Sequence, residues 1–223
     1  MKKWMGWALV LVLSLGLMVT GCSDDDDPAD PGPPDDEQTL YPDPDQLMQG
    51  FVSIYNDMDQ SEFRWLVHED ARFLILPSTL DEWENGSGPL ANDHFDHQAL
   101  LAIHGNIFSG EAGLDATGVL VPPVDSIQVN YITRQGMWEP IPEADPVFGD
   151  IQGYWGLFNV HMYFNNPDQH RFQLEGHVEF YVTEVAIEGA TGWQIIGWRE
   201  IDAFVAKQGT ETTNWCQILS LYR

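Results

Sequence analysis

Apolar positions recur at every second residue through three successive stretches in the C-terminal half of the chain. In Tyr154–Asn165, Phe158, Val160, Met162 and Phe164 share one face, and Trp155, Leu157, Asn159, His161 and Tyr163 share the other. Phe172–Val185 sets Leu174, Val178, Phe180 and Val182 opposite Gln173, Glu175, His177, Glu179 and Thr183. Trp193–Asp202 sets Trp193, Ile195 and Ile201 against Ile196, Trp198 and Asp202. Period-two patterning rich in aromatic and β-branched residues predicts strands. The linkers Asn165–Asp168 and Glu188–Gly192 carry turn-forming residues, so the three stretches predict an antiparallel meander.

Upstream the period changes to that of a helix. Leu47, Phe51, Ile54, Tyr55 and Met58 predict an amphipathic helix over about Asp45–Met58, entered through Pro42-Asp43-Pro44-Asp45. Asp59-Gln60-Ser61-Glu62 has capping-box form ahead of Phe63, Leu66 and Val67, a second short helix. Arg72–Leu76 reads as a strand ended by Pro77, and Ser78–Asp93 as a long loop. Leu100, Ile103 and Ile107 stripe a third helix over about Phe95–Phe108, and Ile127, Val129, Tyr131 and Thr133 alternate as another strand. Met137–Gly153 reads as a Pro-rich loop. Trp215, Ile218, Leu219 and Tyr222 then mark a terminal helical turn or two.

The order helix, short helix, strand, helix and four strands predicts an α+β domain with N-terminal helices packed on a curved, mostly antiparallel sheet. Together with the look of Leu47–Met58 and of Gly192-Trp193-Gln194-Ile195-Ile196, it resembles the cystatin-like cone shared by nuclear transport factor two, ketosteroid isomerase and small polyketide cyclases. The resemblance covers about Pro42–Ala203. It implies a conical pocket between helices and sheet, and such a fold hosts enzymes, ligand binders and dimerisation modules alike.

Charge narrows the partners. The 223-residue chain has a formal net charge of −26, and from Tyr41 onward acids still outnumber bases by 20. Such a surface repels phosphate backbones, so nucleic acid is not an expected partner. Aromatic content of 12%, with nine Trp, points to a filled core and not to a disordered chain.

The first residues read as an address. Lys2 and Lys3 precede an apolar run, Trp4–Val19, and then Val19-Thr20-Gly21-Cys22. That tetrapeptide resembles the lipobox of bacterial lipoproteins, which implies cleavage after Gly21 and acylation of Cys22, with the membrane as a partner through the lipid anchor. Residues 1–21 are thus expected to be a signal peptide, 22–40 a disordered acidic Pro-rich tether, and 41–223 one domain. Ser23 after the cysteine favours the outer membrane, on either its periplasmic or its surface face. Cys216 has no partner for a disulfide and reads as a small buried residue.

No phosphate loop, dinucleotide fingerprint, His-Glu-x-x-His or Gly-x-Ser-x-Gly occurs, so neither a cofactor nor a metal is expected. Candidate pocket residues are Tyr55, Asn159, His161, Trp198 and Asp202, with Asp57 a further carboxylate and His94, His97 and His104 near the third helix. Glu175, His177 and Glu179 form a polar cluster on one strand face, more simply read as the wet side of the sheet. The leading expectation is a noncatalytic envelope lipoprotein binding an apolar or aromatic small molecule, or an envelope partner, through a cone-shaped pocket. The alternatives are an isomerase, cyclase or dehydratase of the same fold, and a homodimerisation module.

Overall fold

The computed structural model describes residues 39–77, 93–114, 120–165, 171–187, 189–201 and 215–222. The stretches expected to be a signal peptide, most of the acidic tether with Cys22 and a long loop over 78–92, together with Asp202, lie outside them. All described residues belong to one unit, Glu37–Arg223.

Helix α1 (Pro44–Asp57) begins where the Asp43 carboxylate accepts from the Gln46 N–H at 2.8 Å, with Pro44 in its first turn. It stops at Met58, whose φ of 53° lies in the left-handed region. Asp59 then accepts from the N–H groups of Ser61 and Glu62 to start α2 (Gln60–Leu66). Strand β1 (Val67–Leu74) follows without a loop, five residues earlier than the sequence pattern predicts. A three-residue strand that the pattern does not show, β2 (His94–Asp96), pairs with β1, and Asp96 caps α3 (His97–Phe108). Two short strands, β3 (Gly113–Leu114) and β4 (Leu120–Val121), pair with each other.

The remaining strands are β5 (Ser126–Pro140), β6 (Tyr154–Asn165), β7 (Arg171–Ile187) and β8 (Ala190–Glu200), and the chain ends in α4 (Trp215–Leu221). One six-stranded sheet has the order β2-β1-β8-β7-β6-β5. Every pairing in it is antiparallel except β1 with β8. The expected fold class is the observed one: helices on a curved, mostly antiparallel sheet. β5 runs four residues into the stretch read from sequence as a loop.

Bulges bend the sheet and reset its faces. In β5 the register slips between Val129 and Tyr131, so Ile132 pairs with Val160 on the inner face while Tyr131 faces outward beside His161. In β8 it slips at Ile196, opposite the Tyr181–Val182 step of β7. Ile195 and Trp198 therefore share the inner face, and Ile196 joins Ile141, Phe148 and Tyr181 in a separate cluster on the outer face. The sequence alternation pairs Trp198 with Ile196; the extra residue of the bulge corrects this.

Phe148 closes the outer cluster, fully buried and stacked on Tyr181 at 4.2 Å between ring centroids. It reaches that place only because residue 197 is glycine. A Cβ there would sit 2.4 Å from Phe148 Cζ and 2.6 Å from the Arg72 carbonyl oxygen. Gly197→Ala is expected to expel Phe148 and cost about 1–3 kcal/mol, the range for overpacking a filled site. Chemical denaturation checks this; a variant as stable as the native chain would mean that the segment 141–153 yields freely.

Candidate functional site

The inner face of the sheet is aromatic and covered. Phe158, Phe180 and Trp198 meet Phe51 and Tyr55 of α1, Phe63 of α2 and Trp215 of α4, all with 2% or less of their surface exposed. Ring centroids of Trp215 lie 5.8 Å from Phe51, 5.7 Å from Tyr55 and 5.8 Å from Trp198, which makes Trp215 the hub of this packing. Clefts of about 680, 500 and 360 Å³ open on the surface, and none is lined by these residues.

Two polar pairs are embedded in that apolar volume. His104 Nδ1 lies 2.8 Å from the Leu100 carbonyl, which can only accept, so Nδ1 carries the proton. Nε2 must then accept from the Tyr55 hydroxyl at 2.6 Å. Burial pulls the imidazole down to about 4, against the Leu100 bond, so His104 is neutral at ordinary pH. Burial also pushes the Tyr55 hydroxyl well up, with Trp215 opposing. This pair holds α1 to α3.

The second pair is Glu200 with Cys216. Glu200 is 1% exposed and is the one carboxylate among the described residues in the fully buried class. It lies opposite Val178 on the inner face, accepts from the Trp215 N–H, and accepts from the Cys216 thiol at 3.1 Å. Burial pushes its carboxyl up to about 7, against the bonds from Cys216 and from the Trp215 and Cys216 N–H groups. Burial, and then the Glu200 charge, push the thiol well above its ordinary value. An acid poised near neutrality inside an aromatic core is the chemically distinctive group of the molecule.

Two donors remain. Trp198 Nε1 and Trp215 Nε1 are buried without a partner among the described residues; the Tyr55 hydroxyl near Trp215 lies outside hydrogen-bond geometry. A buried donor without an acceptor is uncommon in a native core.

The predicted site residues divide between the faces. Tyr55 and Trp198 lie on the inner side. Asn159 and His161 lie on the outer face, half-buried, since they alternate with the inward Phe158, Val160 and Met162. There Asn159 accepts from Gln135 Nε2, and His161 stands between Tyr131 and Tyr163. These residues do not share a pocket. Asp57 is exposed on α1, and Asp202 lies outside the described residues. His94 is at the surface, with Nδ1 2.8 Å from Asp93.

Glu175, His177 and Glu179 also lie outward and do not converge. Glu175 accepts from Gln173 Nε2 at 3.0 Å. Glu179 accepts from Arg199 at 2.6 and 2.8 Å and from the Tyr181 hydroxyl at 2.8 Å. Arg199 also pairs with Asp145 at 3.6 Å, and Asp145 accepts from the N–H groups of Val147 and Phe148. Burial raises the Asp145 carboxyl, but those N–H groups and Arg199 outweigh it and hold it below its ordinary value. The network ties the segment 141–153 to the sheet. Its residues serve one another.

No protein-family model matches the chain, and no curated protein matches it. Solved structures do. A candidate aromatic ring hydroxylase from Novosphingobium aromaticivorans is similar over 70% of this chain and 82% of its own, at 15% identity and a TM-score of 0.43. An NTF2-like protein of unknown function in nutrient uptake from Rhodospirillum rubrum covers 70% and 95%, at 9% identity and 0.38. An uncharacterized protein with a cystatin-like fold from Caulobacter vibrioides covers 70% and 83%, at 13% and 0.34.

Proposed function

We propose that this protein is a lipid-anchored binding module of the bacterial envelope. It takes an apolar, aromatic-sized molecule against the inner wall of Phe51, Tyr55, Phe180 and Trp198, in the volume that its own C-terminal helix fills. The observation carrying this reading is the Trp198 indole N–H, fully buried with no acceptor among the described residues. A ligand carbonyl, ether or hydroxyl oxygen would satisfy that donor while its apolar body packs on the rings. The anchor rests on Lys2, Lys3, the apolar run and Val19–Cys22.

A second reading, an acid–base enzyme, is favoured by Glu200 alone, and that carboxylate is turned to α4 and not to open space. Native mass spectrometry of the full lipidated chain, released from the membranes of its host, tests the binding reading. A retained apolar mass beyond the acyl chains is the expected result. A ligand-free mass, with tryptophan emission unmoved by a panel of apolar aromatics, would overturn it. Ligand-free paired chains would instead favour dimerisation.

A further inference from the structure

We infer that the cleft between the segment 141–153 and strands β6 to β8 is a further binding site, for a small organic cation whose charge sits on an alkylated nitrogen. It lies apart from the inner wall and does not depend on the binding reading above.

Three features of the cleft specify that ligand. First, it offers aromatic surface. Tyr154 opens β6 and Trp193 stands on β8, their ring centroids 5.7 Å apart and their planes tilted by 59°. Tyr154 is 40% exposed, and Trp193 is half-buried against the core. A cation resting on either ring meets the negative face of its π system.

Second, the charge is of one sign. Glu143, Asp150 and Glu184 line the cleft, all three exposed, and no Lys, Arg or His does. Glu184 lies directly opposite Trp193 in the β7–β8 pairing, so carboxylate and ring share one face. Among the described residues no hydrogen bond or ion pair engages the three carboxylates. Acids elsewhere on the sheet are answered: Arg199 pairs with Glu179 at 2.6 Å and with Asp145 at 3.6 Å. The clefts of about 360 and 500 Å³ both have Arg64 on their walls. Unanswered acid around ring surface is thus particular to this cleft.

Third, the acids stand apart. Among the described residues no three His, Cys, Asp or Glu side chains converge as metal ligands. A compact metal ion needs such convergence. A larger cation, its charge spread over several alkyl groups, does not. Alkylation also removes the tight hydration that makes a bare ammonium costly to bring against a ring.

The wall is set before a ligand arrives. The Ile141 N–H donates to the Gly153 carbonyl at 3.1 Å, and the Thr183 hydroxyl donates to the Gln152 carbonyl at 2.8 Å. The Trp193 N–H donates to the Tyr41 carbonyl at 2.8 Å. A guest therefore orders little backbone on entering, and about 680 Å³ is ample for a metabolite-sized cation.

Calorimetric titration of the full lipidated chain, in non-ionic detergent, with choline tests the inference. The neutral isostere 3,3-dimethylbutan-1-ol has the shape of choline without its charge. Choline should bind with a dissociation constant on the order of 1 mM, and the alcohol about tenfold more weakly or worse. Trp193 also packs on the core, so the variants are placed at exposed Tyr154 and Glu184. Tyr154→Leu, which keeps apolar bulk without a ring, should weaken choline about threefold to fivefold, and Glu184→Gln by a similar factor. Asp125→Asn, exposed at the far end of β6 from Tyr154, should change nothing. Choline that does not saturate by about 50 mM, an alcohol that binds equally, or undiminished binding in Tyr154→Leu would overturn the inference. So would an Asp125→Asn loss equal to that of Glu184→Gln, which would reduce the binding to general attraction by an acidic surface.

Discussion

Between pH 7 and pH 4.5 the Glu200→Gln protein should lose about 3 kcal/mol of stability that the native chain keeps. Two buried groups act in opposite senses over this range. His104 is held down to about 4 against an ordinary 6.5, so acidification charges it in the unfolded chain before the folded one. Its contribution is present above about 6.5 and is lost as pH falls toward about 4. Glu200 is raised to about 7 against an ordinary 4.5, so its contribution is full below about 4.5 and lost as pH rises to about 7. Each spans a shift worth about 3 kcal/mol at 1.36 kcal/mol per pH unit, and over about pH 4.5–6.5 they offset. The native chain should thus look insensitive to pH for a reason that single substitutions expose. With Glu200→Gln the His104 loss stands unopposed, joined by that of the half-buried His97, whose imidazole burial also holds below its ordinary value. With His104→Phe stability should instead rise by about 3 kcal/mol on acidification, each variant being compared with itself at pH 7. Asp59, Asp93 and Asp145 are held below an ordinary 3.8, so they act below this window. Urea unfolding at fixed pH measures all three proteins. Parallel curves would show that neither group is titrating in the core.

Much of this architecture is legible in the residue pattern. Leu47, Phe51, Ile54 and Tyr55 are the buried stripe of α1, and β6 and β7 keep strict alternation over most of their length. What the pattern misses, it misses where one residue changes phase. The bulge at Ile196 moves Trp198 to the face of Ile195, and the slip after Val129 turns Tyr131 outward. Three-residue β2 is too short to carry a period.

The candidate site was half visible. Tyr55 can be picked out as an inward tyrosine, and His104 follows Leu100 by four residues on the stripe that also bears Ile107, a spacing that signals a buried imidazole. Glu200 lies two residues after Trp198 on the same strand face, a carboxylate in an otherwise apolar row. Its partners come from a helix fifteen residues further on, and no local pattern announces that contact. Asn159 and His161 illustrate the converse. Their aromatic neighbours suggest a pocket, yet strand parity places them outside.

Trp215→Ala should be the most damaging single truncation, and a small molecule should repair it. The side chain contacts Phe51, Tyr55, Phe73, Phe180 and Trp198 at once, and its removal leaves a void that these rings cannot fill without leaving their rotamers. The expected cost is about 3–5 kcal/mol, the range for truncating a buried Trp or Phe. An apolar cavity of that kind stays dry and admits flat apolar guests. Millimolar indole should therefore raise the melting temperature of the Trp215→Ala chain by several degrees, since at a hundredfold over its dissociation constant a guest contributes about 2.7 kcal/mol. It should raise that of the native chain, in which a guest must first displace Trp215, far less. Rescue would show that the wall of Phe51, Phe180 and Trp198 accepts a free aromatic molecule where the protein holds its own. A variant that loses stability yet ignores indole, benzene and naphthalene alike would mean the wall collapses on itself once Trp215 is gone, and a binding role for this face would not survive.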